Sequence, residues 1–195
     1  MKRVGITGGI GSGKTFFCRR LEIAGLSVFY ADLASRRILE RDETLKEELI
    51  RLLGDECYTE QGPNRPYIAS RIFRDAGLRE KMNALVHPRV LESFERWCAD
   101  REKDGERVAL LESAILFESG FNKYVDVVVL VTAPENERLE RAMERDHTDA
   151  DAVRRRMASQ MPDSEKAVMS DYILSNSQFD DANKQVFELL QFLDA

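Results

Sequence analysis

The residues whose types and spacing most plainly could do chemistry are Gly8-Gly9-Ile10-Gly11-Ser12-Gly13-Lys14-Thr15. They satisfy the pattern G-x-x-x-x-G-K-[ST], with a short apolar stretch before and a helix-forming run after. Glycines let the backbone curl until successive N–H groups point inward at a phosphate chain. The helix that opens near Gly13 adds the positive end of its dipole to the same spot. Lys14 suits the β- and γ-phosphates of a nucleoside triphosphate, and the Thr15 hydroxyl suits Mg²⁺. The plainer alternative, a glycine-rich turn beside a surface lysine, does not account for the complete motif in this context.

Asp32 and a set of arginines come next. Asp32 follows the apolar run 27–31, where α/β folds place ligands at strand ends. It can serve as a general base, or as N-cap of a helix expected over 33–40. Arg138, Arg141 and Arg145 fall at i, i+3 and i+7, on one helical face, and Arg154, Arg155 and Arg156 follow in a second helix. Interleaved with Glu137, Glu140 and Glu144, they can form a solvated, salt-bridged surface. Equally, they can form a mobile lid that neutralises a transferring phosphoryl group and expels water.

The elements that must position these groups follow from apolar patterning. A helix is expected over 16–24, stopped by Gly25. Strands are expected over 27–31, 107–111, 126–132 and 171–175, and with the run through Val4 and Ile6 they make five. A final helix spans 180–194. Five apolar strands separated by helices predict an α/β fold with a parallel sheet and right-handed crossovers. Between them, 33–104 reads as helical throughout. Leu45, Leu49, Leu52 and Leu53 form a stripe ended by Gly54, 60–66 reads as a loop, and His87-Pro88 is expected to break the helical run. An insertion this long exceeds a normal crossover and suggests a substrate-binding helical subdomain.

Bulk properties exclude other classes. The chain has 195 residues, 43% hydrophobic and 33% charged, with a net charge of −6. This balance fits a soluble globular protein and argues against a nucleic-acid binder that depends on its overall field. No stretch approaches the ~20 apolar residues of a membrane span, and the N-terminus enters a strand at once, so a cytoplasmic protein is expected. Cys18, Cys57 and Cys98 lack metal-ligand spacing, and with only His87 and His147 a zinc site is not expected.

Several separated segments together resemble the dephospho-coenzyme A kinase family. Residues 4–15 (VGITGGIGSGKT) are similar to its phosphate loop, and Tyr30-Ala31-Asp32 to its A-D strand end. Residues 62–73 resemble G-x-x-R-x-x-[LI]-x-x-x-[IV]-F, which singles out Arg65 and Phe73. His87-Pro88-Arg89-Val90 resembles H-P-x-[IV], and Leu116-Phe117-Glu118 resembles L-F-E. Arg141, Arg145-Asp146, Arg156 and Gln160-Met161-Pro162 match the lid, and 171–176 match D-[YF]-[IV]-[IV]-x-N. Three positions depart from the pattern. Ala114 stands where proline is usual, Glu112 where Asp is usual, and Tyr30 where Asp is frequent.

The resemblance implies a three-layer P-loop kinase fold with a five-stranded parallel sheet, a helical substrate-binding insertion and a helical lid. One kinase domain would then comprise a nucleotide-binding core (1–32, 105–135, 168–195), an acceptor subdomain (33–104) and a lid (136–167). It implies Mg²⁺-dependent transfer from ATP to the ribose 3′-hydroxyl of dephospho-coenzyme A. Asp32, Lys14, Arg141 and Arg145 would be catalytic. Gly9, Gly11, Ser12, Gly13, Lys14, Thr15, Phe16 and Asn176 would bind ATP, with Thr15 on the metal. Asp32, Arg65, His87, Arg89 and Glu118 would bind the acceptor. The expected partners are these two small molecules, with no nucleic acid and no membrane, in a monomer or weak homo-oligomer. The alternatives are another small-molecule or nucleoside monophosphate kinase on the same fold, and a non-catalytic nucleotide-binding regulator. A GTPase is disfavoured because no N-K-x-D motif occurs.

Overall fold

A computed structural model describes residues 1–194. In chain order the elements are β1 (Lys2–Thr7), α1 (Lys14–Ile23), β2 (Ser27–Tyr30), α2 (Ala31–Arg41), α3 (Glu43–Leu53), β3 (Tyr58–Thr59), β4 (Gly62–Pro63), α4 (Arg65–Arg74) and α5 (Ala76–Lys103). They continue with β5 (Val108–Glu112), β6 (Val127–Thr132), α6 (Glu135–Asp146), α7 (Ala150–Ala158), α8 (Asp163–Val168), β7 (Tyr172–Ser175) and α9 (Ala182–Asp194). The chain divides into two compact units, Met1–Tyr30 with Cys98–Ala195, and Ala31–Trp97.

The first unit is built on a five-stranded sheet in the order β2-β5-β1-β6-β7, and every pairing is parallel. The strands are apolar runs because both faces are covered; all five residues of β5 are buried. On one face Val4, Ile6, Val129 and Val131 pack with Phe17 and Leu21 of α1 and Leu189 of α9. Cys18 lies in the same cluster, and burial pushes its thiol pKa well up. On the opposite face of β1, Gly5 faces Leu116 so closely that a Cβ would lie 2.7 Å from Leu116 Cδ2. Parallel pairing puts every strand's C-terminal end at one edge. The central strand β1 delivers residues 8–13 to the middle of that edge.

The second unit is helical. Leu45, Leu49 and Leu53 are buried at i, i+4 spacing along α3. Met82, Val86, Val90 and Phe94 repeat that spacing along α5. Burying each such side chain contributes about 1.5–3 kcal/mol. Asp42 caps α3 by accepting from Leu45 N (2.9 Å), and Asn64 caps α4 by accepting from Tyr67 N (3.3 Å). Of the loop expected over 60–66, Gly62–Pro63 forms β4, paired antiparallel with β3 just before the stretch, and Arg65 and Pro66 already open α4; Gly62 supplies a positive φ there. Tyr58 donates to Leu39 O (2.8 Å); burial, with Cys57, Asp42 and Glu43 nearby, pushes its pKa up to about 12.

The expected break at His87-Pro88 does not occur, because α5 runs through it for 28 residues. Proline removes one i→i−4 bond, the one to Ala84 O, and one lost bond is outweighed by an apolar stripe that continues in phase on both sides. Arg89 also donates its Nη1 back to Leu85 O at 2.7 Å, supplying a donor in the turn the proline disturbs. The helix after β2 likewise differs from expectation. It starts at Ala31, so Asp32 lies inside its first turn and is not its N-cap.

Candidate active site

The phosphate loop has the conformation its glycines allow. Gly8, Gly11 and Gly13 have φ of 150°, 77° and 94°. Four glycines are so crowded that a side chain would force a neighbour to move, Gly8 by the Val131 carbonyl among them. A Cβ on Gly9 would run into Arg138 Nη2, one on Gly11 into the Arg138 carbonyl, and one on Gly13 into Asn176 Nδ2. Ser12 N donates to Gly9 O (3.2 Å), and Phe16 N and Phe17 N both return to Gly13 O. The N-terminus of α1 follows directly on this loop, and the positive end of its dipole faces the place an anion would take. Lys14 folds over the loop, with its Nζ donating to Gly8 O (2.8 Å) and Gly9 O (3.3 Å).

Side chains distant in sequence hold this loop. Asn176 is set at the end of β7 by its own N–H to Thr132 O (2.8 Å), and its Nδ2 donates to Ser12 O (2.8 Å). Ile10 is gripped at both ends of its backbone. Its N–H donates to Gln160 Oε1 (2.9 Å) and its carbonyl accepts from Arg138 Nε (3.0 Å). Arg138 also pairs with Asp163 Oδ2 at 2.6 Å. Arg141 Nη2 donates to Asn176 O (2.8 Å) and to Glu137 (2.7 Å).

The arginine stripe therefore does not act as one face. Arg138 and Arg141 turn to the loop edge, whereas Arg145 grips Asp146 through Nε (2.8 Å) and Nη2 (3.1 Å) and is exposed. Arg156 reaches the same carboxylate at 2.8 Å. The Arg145 bonds, seconded by Arg156, lower the Asp146 pKa to about 2. Thr15 is exposed in the first turn of α1. Phe16 is 39% exposed, with the Arg20 guanidinium 3.6 Å from its ring centroid.

Glu118 lies in the turns after β5, where its Oε1 accepts from Met161 N (2.9 Å) and pairs with Lys166 (3.2 Å). The other expected acceptor residues belong to 31–97. Asp32 is exposed on α2, and Arg65 pairs with Glu40 at 2.6 Å on α2. Arg89 binds Asp42 (3.0 Å) and Glu48 (2.8 Å). His87 is half-buried on α5, and burial lowers its pKa.

Arg138 was expected in the stripe and Gln160 in the lid, neither as a holder of the loop, and Asp163 and Lys166 carried no expected role. A signal for Arg138 was present: it heads the stripe in the first turn of α6, the helix that follows β6, the strand beside β1.

The loop edge suits a polyphosphate and a divalent cation. Thr7 Oγ1, Ser12 Oγ and Arg141 Nη1 are buried there without a hydrogen-bond partner, an arrangement that an added ligand would complete. Among the described residues no cluster of three acidic, His or Cys side chains could hold a metal. A cation held through phosphates and one hydroxyl needs no such cluster, and the exposed Thr15 fits that role.

A phosphate loop leaving the central strand of a five-stranded parallel sheet, gripped by arginine and asparagine from the following strands and helices, defines the P-loop kinase fold. The dephospho-CoA kinase family model matches residues 2–181. A dephospho-CoA kinase of Bacteroides fragilis is 36% identical over 191 residues, covering 98% of this chain and 92% of that protein. A crystal structure from Thermus thermophilus superposes with a TM-score of 0.81 at 30% identity, covering 98% and 97% of the two chains. A dephospho-CoA kinase structure from Campylobacter jejuni gives 0.72 at 21% identity, covering 98% and 96%. The chain belongs to the dephospho-CoA kinase family, a family of phosphotransferases. Among the described residues no helix is long and apolar enough to cross a membrane.

Proposed function

We propose that this chain transfers the γ-phosphoryl group of ATP to the ribose 3′-hydroxyl of dephospho-coenzyme A, giving coenzyme A and ADP. The observation that carries the reading is the loop itself. Its crowded glycines leave room for backbone only, and its surrounding donors include buried ones without partners. Lys14 exchanges its loop carbonyls for the β- and γ-phosphates, and the loop N–H groups hold the rest of the triphosphate. Thr15 would hold Mg²⁺, which would neutralise phosphate charge. Arg141 stabilises the transferring group, joined by Arg145 when it leaves Asp146. Asn176 borders the adenine.

Asp32 orients and deprotonates the acceptor hydroxyl. Arg65, His87, Arg89 and Glu118 are its companions on the acceptor side. In this reading 1–32, 105–135 and 168–195 form the nucleotide core, 33–104 the acceptor subdomain and 136–167 the lid. The protein works in the cytoplasm as a monomer or weak homo-oligomer, without nucleic acid, in keeping with its net charge of −6.

A coupled ADP-release assay with dephospho-coenzyme A, adenosine and nucleoside monophosphates as acceptors tests the reading. ADP formation selective for dephospho-coenzyme A is expected. Equal rates with all acceptors would remove the specific assignment, and no acceptor-dependent ADP would remove catalysis altogether.

A further inference from the structure

Lys166 is a charged side chain with 0% exposure, an unfavourable setting for an ammonium unless partners surround it. Its Nζ donates to Ala114 O at 2.9 Å and lies 3.2 Å from Glu118 Oε1. That same oxygen accepts from Met161 N at 2.9 Å. The preceding residue, Gln160, takes the N–H of Ile10 on its Oε1 at 2.9 Å. One buried charge thus stands at the head of a continuous line. It runs from Lys166 to Glu118, to the Met161 peptide, to Gln160, and to the third residue of the phosphate loop.

The backbone that this line fixes is irregular on both sides. Residues 114–120 are turns and 161–162 have no regular structure, so no helix or strand ladder sets their positions. Burying an ion pair adds little net stability, and its better use is to select one geometry among several. The acceptor at Ala114 is a carbonyl, which a proline at this position would also supply. The departure at Ala114 therefore leaves the Lys166 bond intact.

We propose that Lys166 is a positioning residue for the nucleotide: through Glu118 and the Gln160-Met161 peptide it holds the phosphate loop in its ATP-binding conformation. This rests on reading residues 8–15 as the triphosphate site. It assigns the Oε1 of Glu118 to the donor side of the reaction, whatever the other oxygen contacts.

A double-mutant cycle tests it by direct calorimetry of Mg-ATP binding with no acceptor present. Lys166→Met and Gln160→Ala should each weaken binding about 10-fold. The double variant should also stay near 10-fold, because both cut one line. Lys166→Arg, which keeps the charge and donors, should recover most of the affinity. In turnover assays Lys166→Met should raise KM for ATP and leave KM for the acceptor in place. Wild-type affinity in Lys166→Met, or effects that multiply toward 100-fold in the double variant, would overturn the proposal. Should Lys166→Met fail to fold, Glu118→Gln replaces it in the cycle with the same two outcomes. A wild-type protein that does not bind ATP would refute the loop reading instead.

Discussion

Around residues 8–15 polar side chains mostly hold backbone atoms, whereas within 31–97 charged side chains mostly hold one another. Asn176, Gln160 and Arg138 each bind a peptide group of the loop. In the helical unit Arg65 binds Glu40, and Arg89 spans Asp42 and Glu48. The difference separates two tasks. Helices already satisfy their own backbone, so side chains between them are free to staple one helix to another. An irregular loop has no ladder of its own, and its shape must come from outside. Changes at the loop should therefore alter chemistry more than stability, and changes among the staples the reverse.

Asp32 is the sharpest test, because it belongs to the helical unit yet forms no staple there. Asp32→Asn should bind ATP normally and lose ~10²–10⁴ of turnover. Near-normal turnover would remove Asp32 from the mechanism and leave the separation of tasks without its exception. Next in size is Gly13→Ala. With φ at 94° and Asn176 Nδ2 in the path of the new methyl, the loop must shift, and turnover should fall on the order of 10²-fold. The urea midpoint should move little; a large drop would mean that the loop also carries the fold.

Asp42→Ala reverses that pattern. It removes the α3 cap and one partner of Arg89, and should cost about 2 kcal/mol in urea unfolding. ATP affinity measured by calorimetry should stay within about twofold, since an affected loop would be evidence against separate tasks. The smallest effect concerns Asp146. Its folded pKa lies below the ordinary 3.8, so its pairing with Arg145 and Arg156 stabilises the fold above that value and is lost as pH falls toward about 2. Across that window the melting temperature of the wild type should fall more steeply than that of Asp146→Asn. Parallel curves would show that the pairing adds nothing.

Strands were the most legible part of the sequence. A run such as Val127–Thr132 is apolar on both faces and admits few other readings. The loop was legible because its glycines, Lys14 and Thr15 are contiguous. Its supports were not, since Gln160 and Lys166 act only after folding has brought residues 114, 118 and 10 beside them. The arginine stripe gave the right helix but a single face, because i, i+3, i+7 spacing describes where side chains start and not where their long stems end. Proline at position 88 misled for a different reason: the local rule is real, and packing along 28 residues of α5 outweighs it.

The buried thiols of Cys18 and Cys57 lie in different units, one on α1 beneath the phosphate loop and the other after α3. Burial disfavours both thiolates, so a thiol reagent must wait for local opening before it reacts. With Cys98 replaced by serine, these two thiols serve as internal clocks. Labelling at Cys18 times the breathing of the sheet unit, and labelling at Cys57 times that of the helical one. A nucleotide that closes the loop should slow the first clock more than the second.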